Sequence, residues 1–232
     1  MTSLPSDLVA IAITIPLWLF QISVTIFLIY FRYKKLKLFE PNCFNLFIML
    51  EVTNSLNELT LFLMRRLSLL PFIQPFYLTS PIFSSILYAA SAYTLYTMCF
   101  LRVAITINQL NSVQALLSQS TLTFGIYGKI AIPLIPLFPL PLLFRRFFYP
   151  APFFRHSNGN LFVAYLDCDI QRYQSIVSAI VLVSTSLLAF CITMITILKY
   201  RALSVKTDLN MMKVKKIHIK HHLLCKFSHN ML

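Results

Sequence analysis

The sequence predicts an all-α fold, a multi-pass transmembrane helical bundle, on three observations. The chain of 232 residues is 58% hydrophobic with a mean hydropathy of +0.74, and only 12% of it is charged. Those values lie well outside the averages of soluble domains. Its apolar residues fall in five long runs, each near the ~20 residues that a helix needs to cross a bilayer. The runs are continuous and do not alternate as barrel strands do, so helices that satisfy their own backbone are the form that fits.

The first run, Leu8 to Phe31, carries no charge and has only Asp7 ahead of it. It is too long for a cleaved signal peptide and lacks the basic front end of one, so an uncleaved anchor is expected. The second, Asn42 to Met64, contains Glu51 and Glu58 and closes at Arg65 and Arg66. The third, Ile82 to Leu101, is rich in Tyr, Ser and Ala and ends at Arg102. The fourth, Leu122 to Phe144, has Lys129 near its start and four prolines, Pro133, Pro136, Pro139 and Pro141, before Arg145 and Arg146. Each proline removes a backbone donor, so this span should be bent and packed against neighbours. The fifth, Tyr173 to Leu198, is again uncharged. Residues 1–200 thus form the bundle and 201–232 a basic cytoplasmic tail, whose apolar positions at near-helical spacing fit a helix on the inner leaflet.

Positive charge sets the orientation, because Lys and Arg are retained on the cytoplasmic side. With the N-terminus outside, the inner segments hold thirteen basic residues and the outer segments six, Lys129 remaining within a span. N-out and C-in is therefore expected. The net charge of +13 becomes largely topological and is not read as a nucleic-acid footprint. Cys43, Cys99 and Cys191 fall in or at the ends of spans, Cys225 in the tail, and Cys168 alone on the outer side, where it has no second cysteine to pair with. There is no Gly-rich phosphate loop and no zinc spacing. No nucleophile, base and orienting acid converge either, so neither an enzyme nor a cofactor is expected.

Polar residues inside a bilayer need a reason. Glu51, Asn54 and Glu58 stand at i, i+3 and i+7, one stripe on one helix face. A carboxylate at the bilayer centre costs about 2.5 to 3.5 kcal/mol on insertion scales, so the stripe should face the bundle interior. Glu58 lies toward the outer end, where a ligand would enter, although a protonated packing role is an equal alternative. Glu51 and Lys129 lie within ~3 Å of the same depth, which makes an ion pair one reading and a snorkelling Lys129 the other. Tyr88, Tyr93 and Tyr96 of the third span offer aromatic walls and hydroxyls to a small amphiphilic ligand, or simply pack the bundle. The outer loop 145–172, aromatic and punctuated by Pro150, Pro152 and Gly159, is a candidate lid over that pocket.

A basic first inner loop, a polar second span, a third span ending in Arg102 and a proline-rich fourth span follow in order. Lys129-Ile-Ala-Ile-Pro133-Leu-Ile-Pro136-Leu-Phe-Pro139, then Tyr149-Pro-Ala-Pro-Phe-Phe and Gly159, complete the pattern. It resembles the nematode serpentine chemoreceptors, class U most closely, a relative of class gamma. The resemblance implies a rhodopsin-like receptor of sensory neurons, in the plasma membrane, coupling a small-molecule or peptide ligand outside to a heterotrimeric G protein inside. It casts Arg102 as the switch arginine at the inner end of span three, beside the simpler reading of an interfacial anchor. Spans six and seven of such receptors have no counterpart in the five runs, so a truncated, non-signalling form belongs to the expectation. The alternative is a small multi-pass transporter or channel component, for which only three glycines, Gly125, Gly128 and Gly159, are present.

Overall fold

A computed structural model describes residues 4–34, 41–118, 132–157 and 160–229. It is mostly helical: α1 (Leu4–Tyr33), α2 (Pro41–Leu61), α3 (Gln74–Thr79), α4 (Pro81–Ser118), α5 (Pro139–Phe148) and α6 (Cys168–His229). A two-stranded antiparallel hairpin, β1 (Phe153–Arg155) and β2 (Leu161–Val163), pairs Phe154 with Phe162 between α5 and α6. The sequence does not announce these strands. Three residues each is too short for a pattern of alternation to declare itself.

Among the described residues, four helical stretches are long and apolar enough to cross a membrane: Ala12–Tyr33, Phe44–Arg66, Pro81–Ala115 and Cys168–Ser204. They correspond to the first, second, third and fifth of the expected spans. Residues 122–131 of the remaining one, Lys129 among them, lie outside the described residues. Its described part shows what closely spaced prolines do: residues 132–134 are α-helical, Ile135–Leu137 tighten to a 3-10 turn, and α5 starts at Pro139. A proline at a first helical position loses no bond that the helix would have made. Pro136 offers its carbonyl three residues ahead of Pro139, which has no N–H, and the Tyr93 hydroxyl of α4 donates to that carbonyl at 3.2 Å instead.

The third span is longer than the sequence implied. Arg102 does not end it: α4 runs on to Ser118, since Val103, Ala104, Ile105 and Ile107 are apolar and neither Gly nor Pro intervenes. Likewise α6 continues without a break from the apolar stretch through the basic tail to His229.

The chain divides into two compact units, Met1–Ile105 with Thr123–Ala189, and Thr106–Leu122 with Phe190–Leu232. Within the first, α4 is the hub: half of its apolar stretch is buried, against 6% for α1. Leu46 of α2, Leu101 and Ile105 of α4, and Ile132 and Ile135 make one core cluster. Ala92 and Tyr96 of α4, Leu143 of α5 and Val181 of α6 make a second. Because lipid tails are as apolar as leucine, polar bonds and close packing must tie such helices together. The buried Thr94 Oγ1 donates to Asn57 Oδ1 at 2.9 Å between α4 and α2, and Trp18 Nε1 of α1 donates to the Ser55 carbonyl of α2 at 3.1 Å. In the second unit, Lys199 Nζ donates to Gln114 Oε1 at 2.9 Å.

At the end of the first unit where α4 begins, the hairpin lies over the helices. Phe153 and Leu161 pack with Tyr77 of α3 and Leu87 of α4. The Ala151 N–H donates to Ser85 Oγ at 2.8 Å, and Arg155 Nη2 donates to Gln74 Oε1 at 2.7 Å. Burial pushes the Tyr77 phenol above its usual range, and its hydroxyl donates to the Leu63 carbonyl at 2.8 Å.

Candidate ligand site

The site is built around one buried guanidinium. In α5 the positions Pro139, Leu143 and Arg146 are buried, while Phe144, Arg145, Phe147 and Phe148 point outward. Spacings of four and three residues are one face of a helix, so the phase that buries Leu143 carries Arg146 inward with it. Of the two neighbouring arginines, Arg145 turns out and lies 4.4 Å from the centre of the Tyr173 ring. Arg146 turns in and is only 6% exposed.

Every described partner of Arg146 is neutral. Nε donates to Gln174 Oε1 at 2.9 Å, Nη2 reaches Ser178 Oγ at 3.5 Å, and the guanidinium carbon sits 4.9 Å from the centre of the Tyr88 ring. Placement in the last turn of α5 adds the favourable field of a helix C-terminus. A guanidinium holds its charge throughout the physiological range, so the site carries a buried positive charge with no carboxylate paired to it among the described residues. That is costly, because burying an ion is repaid in full only by an opposite charge and complete hydrogen bonding.

The bonds around it have a fixed direction. Ser178 Oγ donates its one hydrogen to the Gln174 carbonyl at 2.8 Å, so toward Tyr96 it accepts, and the Tyr96 hydroxyl is the donor of their 2.7 Å bond. Gln174 is 1% exposed and must present its oxygen to a guanidinium that can only donate. Its Nε2 is thereby turned away, and it is buried with no hydrogen-bond partner. Above the cluster, Tyr165 lies edge-on to Tyr88 with ring centres 5.3 Å apart. Burial pushes its phenol up to about 12, against the opposing pull of the Arg146 charge.

Beside the cluster, a cavity of about 640 Å³ lies between the first turns of α4 and the end of α5. Its walls include Ile82, Ile86, Ala90 and Tyr93 on one side and Leu140 and Phe148 on the other, and among the described residues Arg146 is the one charged residue that lines it. The volume falls within the ~300–1,000 Å³ of small-molecule sites, with the usual apolar wall and few polar groups.

The residues expected from sequence divide between this site and elsewhere. Tyr88 forms a face of the Arg146 cage. Tyr93 lines the cavity with its hydroxyl committed to Pro136, and Tyr96 is fully buried and bonded to Ser178. Glu58 lies apart, in a cleft of about 220 Å³ with Thr14, Ile15 and Trp18, so it faces α1. Glu51, on the same stripe, accepts from Gln21 Nε2 of α1 at 3.4 Å, and Asn54 between them is half-buried. Arg102 is exposed on α4. The expected partner of Glu51, Lys129, lies outside the described residues. Cys168 is a free, exposed thiol.

Arg146, Gln174, Ser178 and Tyr165 do not stand out in the sequence. There Arg146 counts only as a flanking charge; the available signal is its spacing of three from Leu143 amid outward phenylalanines. Gln174 and Ser178 share a face with Ile170, Val181 and Thr185, the buried positions of early α6, and that periodicity marks them as inward polar groups. No protein-family model matches this sequence, and no curated protein matches it either.

Proposed function

We propose that this chain is an integral membrane protein of the serpentine chemoreceptor type, which takes a small organic ligand in the cavity beside Arg146. The observation that carries the reading is the pairing of a drug-sized apolar cavity with a buried cation whose described partners are all neutral, at the end of the bundle beneath the hairpin. A purely structural bundle gains nothing from that pairing, whereas a receptor needs a fixed polar anchor in an apolar wall. The positive-charge asymmetry of the sequence favours this end outside the cell, with the N-terminus, and the basic end of α6 in the cytoplasm, where a heterotrimeric G protein would be met. The plasma membrane is the location such a receptor requires. The resemblance in spans three and four supports the same assignment.

The test is a ligand-evoked calcium response in cells expressing this chain alone, run beside flux measurements on proteoliposomes. A response abolished by filling the cavity with Ala90→Trp supports the receptor reading. Ligand-independent solute flux with no evoked response would replace it with a transporter or channel component.

A further inference from the structure

We propose that the cavity beside Arg146 is selective for an acidic amphiphile, with an anionic head group on Arg146 and an apolar chain along the α4–α5 wall. This rests on the reading of that cavity as a ligand site. Donors outnumber acceptors around Arg146. A guanidinium offers five N–H groups, and the described bonds of Arg146 use Nε and Nη2 only, leaving Nη1 without a hydrogen bond among the described residues. Gln174 adds two more N–H groups on Nε2, buried and unpartnered. That nitrogen is enclosed and Gln174 does not line the cavity, so Arg146 is the residue that meets a head group while Gln174 holds its Nε from behind.

The site therefore has donors to spare, a net positive charge and no acid of its own among the described residues. A neutral alcohol or amine leaves the charge uncompensated. A carboxylate or phosphate brings the missing charge and two or more acceptor oxygens, and its bonds to a cation are among the strong ones. The remainder of the ligand is set by the walls. From Pro81 to Tyr93 the lining runs ~18 Å along α4 and is apolar apart from Ser85 and the Tyr93 hydroxyl. Both hydroxyls are committed, Ser85 to the Ala151 N–H and the Pro81 carbonyl, and Tyr93 to Pro136. Such a wall suits an unbranched hydrocarbon chain and offers nothing to a sugar or a peptide backbone.

An anionic head on an apolar chain can arrive from solution as a free fatty acid or from the leaflet as an acidic phospholipid. Exposed Ile82, Ile86 and Phe147 at the cavity's rim leave either route open.

The full chain in phosphatidylcholine nanodiscs is titrated with radiolabelled dodecanoate and, separately, with dodecanol, each corrected for empty discs. Dodecanoate is expected to bind saturably and dodecanol about tenfold or more weakly, the fold-change that loss of a charge-assisted bond produces. Since Arg146→Gln risks misfolding, the deciding variant is Gln174→Glu, which supplies the absent carboxylate from the protein itself. It is expected to keep or raise Tm while weakening dodecanoate about tenfold or more and leaving dodecanol unchanged. Loss of dodecanoate binding in phosphatidylglycerol discs identifies the acidic phospholipid as the occupant, and undiminished binding identifies the free acid; either supports the shared chemistry. Equal saturable binding of acid and alcohol, or a Gln174→Glu protein that binds dodecanoate as before, overturns the proposal and leaves the receptor reading standing. Saturable, Gln174→Glu-sensitive binding without any evoked cellular response does the reverse.

Discussion

The direction of the hydrogen bonds around Ser178 predicts unequal costs for two conservative substitutions. Tyr96→Phe removes one hydroxyl and keeps the ring, which is fully buried against Ala92, Leu143 and Val181. Ser178 then loses a donor but keeps its own bond to the Gln174 carbonyl at 2.8 Å, so no buried donor is stranded. The cost should be that of one interhelical bond in a membrane, about 0.6 and at most ~1.7 kcal/mol. Ser178→Ala instead removes the acceptor shared by the Tyr96 hydroxyl at 2.7 Å and Arg146 Nη2 at 3.5 Å. Two donors are left, and a stranded buried donor costs about 1–3 kcal/mol, so a loss of ~2–4 kcal/mol is expected. In the double variant the ring on α4 carries no hydroxyl to strand, and the combined cost should fall short of the sum by about 1 kcal/mol. Reversible unfolding in mixed detergent and phospholipid micelles measures all four corners of the cycle. A coupling within ~0.3 kcal/mol of zero, or a Tyr96→Phe variant as unstable as Ser178→Ala, would refute the assigned bond directions.

Leu143→Ala, at a fully buried position of α5, should destabilise by about 2 kcal/mol in the same assay. That is the low end of values for soluble proteins, since the lipid reference state removes the transfer part and leaves the lost packing. Tyr165 is neutral in the fold, and its phenol value, raised from 10.0 to about 12, implies stability that is intact below pH 10 and lost as pH climbs toward 12. An ultraviolet phenolate titration should show a step near 12 that disappears in Tyr165→Phe; a step unchanged by that substitution would count against the burial described. In chains retaining a single cysteine, a charged thiol reagent should modify exposed Cys168 rapidly and buried Cys99 only after unfolding, and reaction of Cys168 in intact cells reports the N-out orientation. Protection of Cys168 in cells alongside reactivity in detergent would invert that orientation.

The apolar runs made most of the architecture legible, because length without charge is a direct requirement of the bilayer. Helix ends were harder to read. A single Arg102 on the surface of α4 does not stop a helix whose next residues stay apolar, and a basic tail does not stop α6. The stripe of Glu51, Asn54 and Glu58 was readable as a stripe, yet which neighbour it meets depends on helix rotation, and the structure turns Glu51 and Glu58 toward α1. Tyr88, Tyr93 and Tyr96 come to the site. Two of their hydroxyls, those of Tyr93 and Tyr96, serve the helices, satisfying Pro136 and Ser178. Arg146 was the least legible member: next to Arg145 it looks like one more flanking charge, and only the phase of α5 against α4 and α6 separates the buried arginine from the exposed one.

The most direct test of the account is photo-crosslinking with a diazirine-bearing fatty acid on the full chain in phosphatidylcholine nanodiscs, with adducts mapped by mass spectrometry. If an acidic amphiphile occupies the cavity beside Arg146, adducts concentrate on residues 81–93 and 140–150, excess dodecanoate displaces them, and Gln174→Glu removes them. Adducts spread over the lipid-exposed faces of the bundle, on Leu17 and Phe20 of α1 or Leu187 of α6, and indifferent to both treatments, would contradict it.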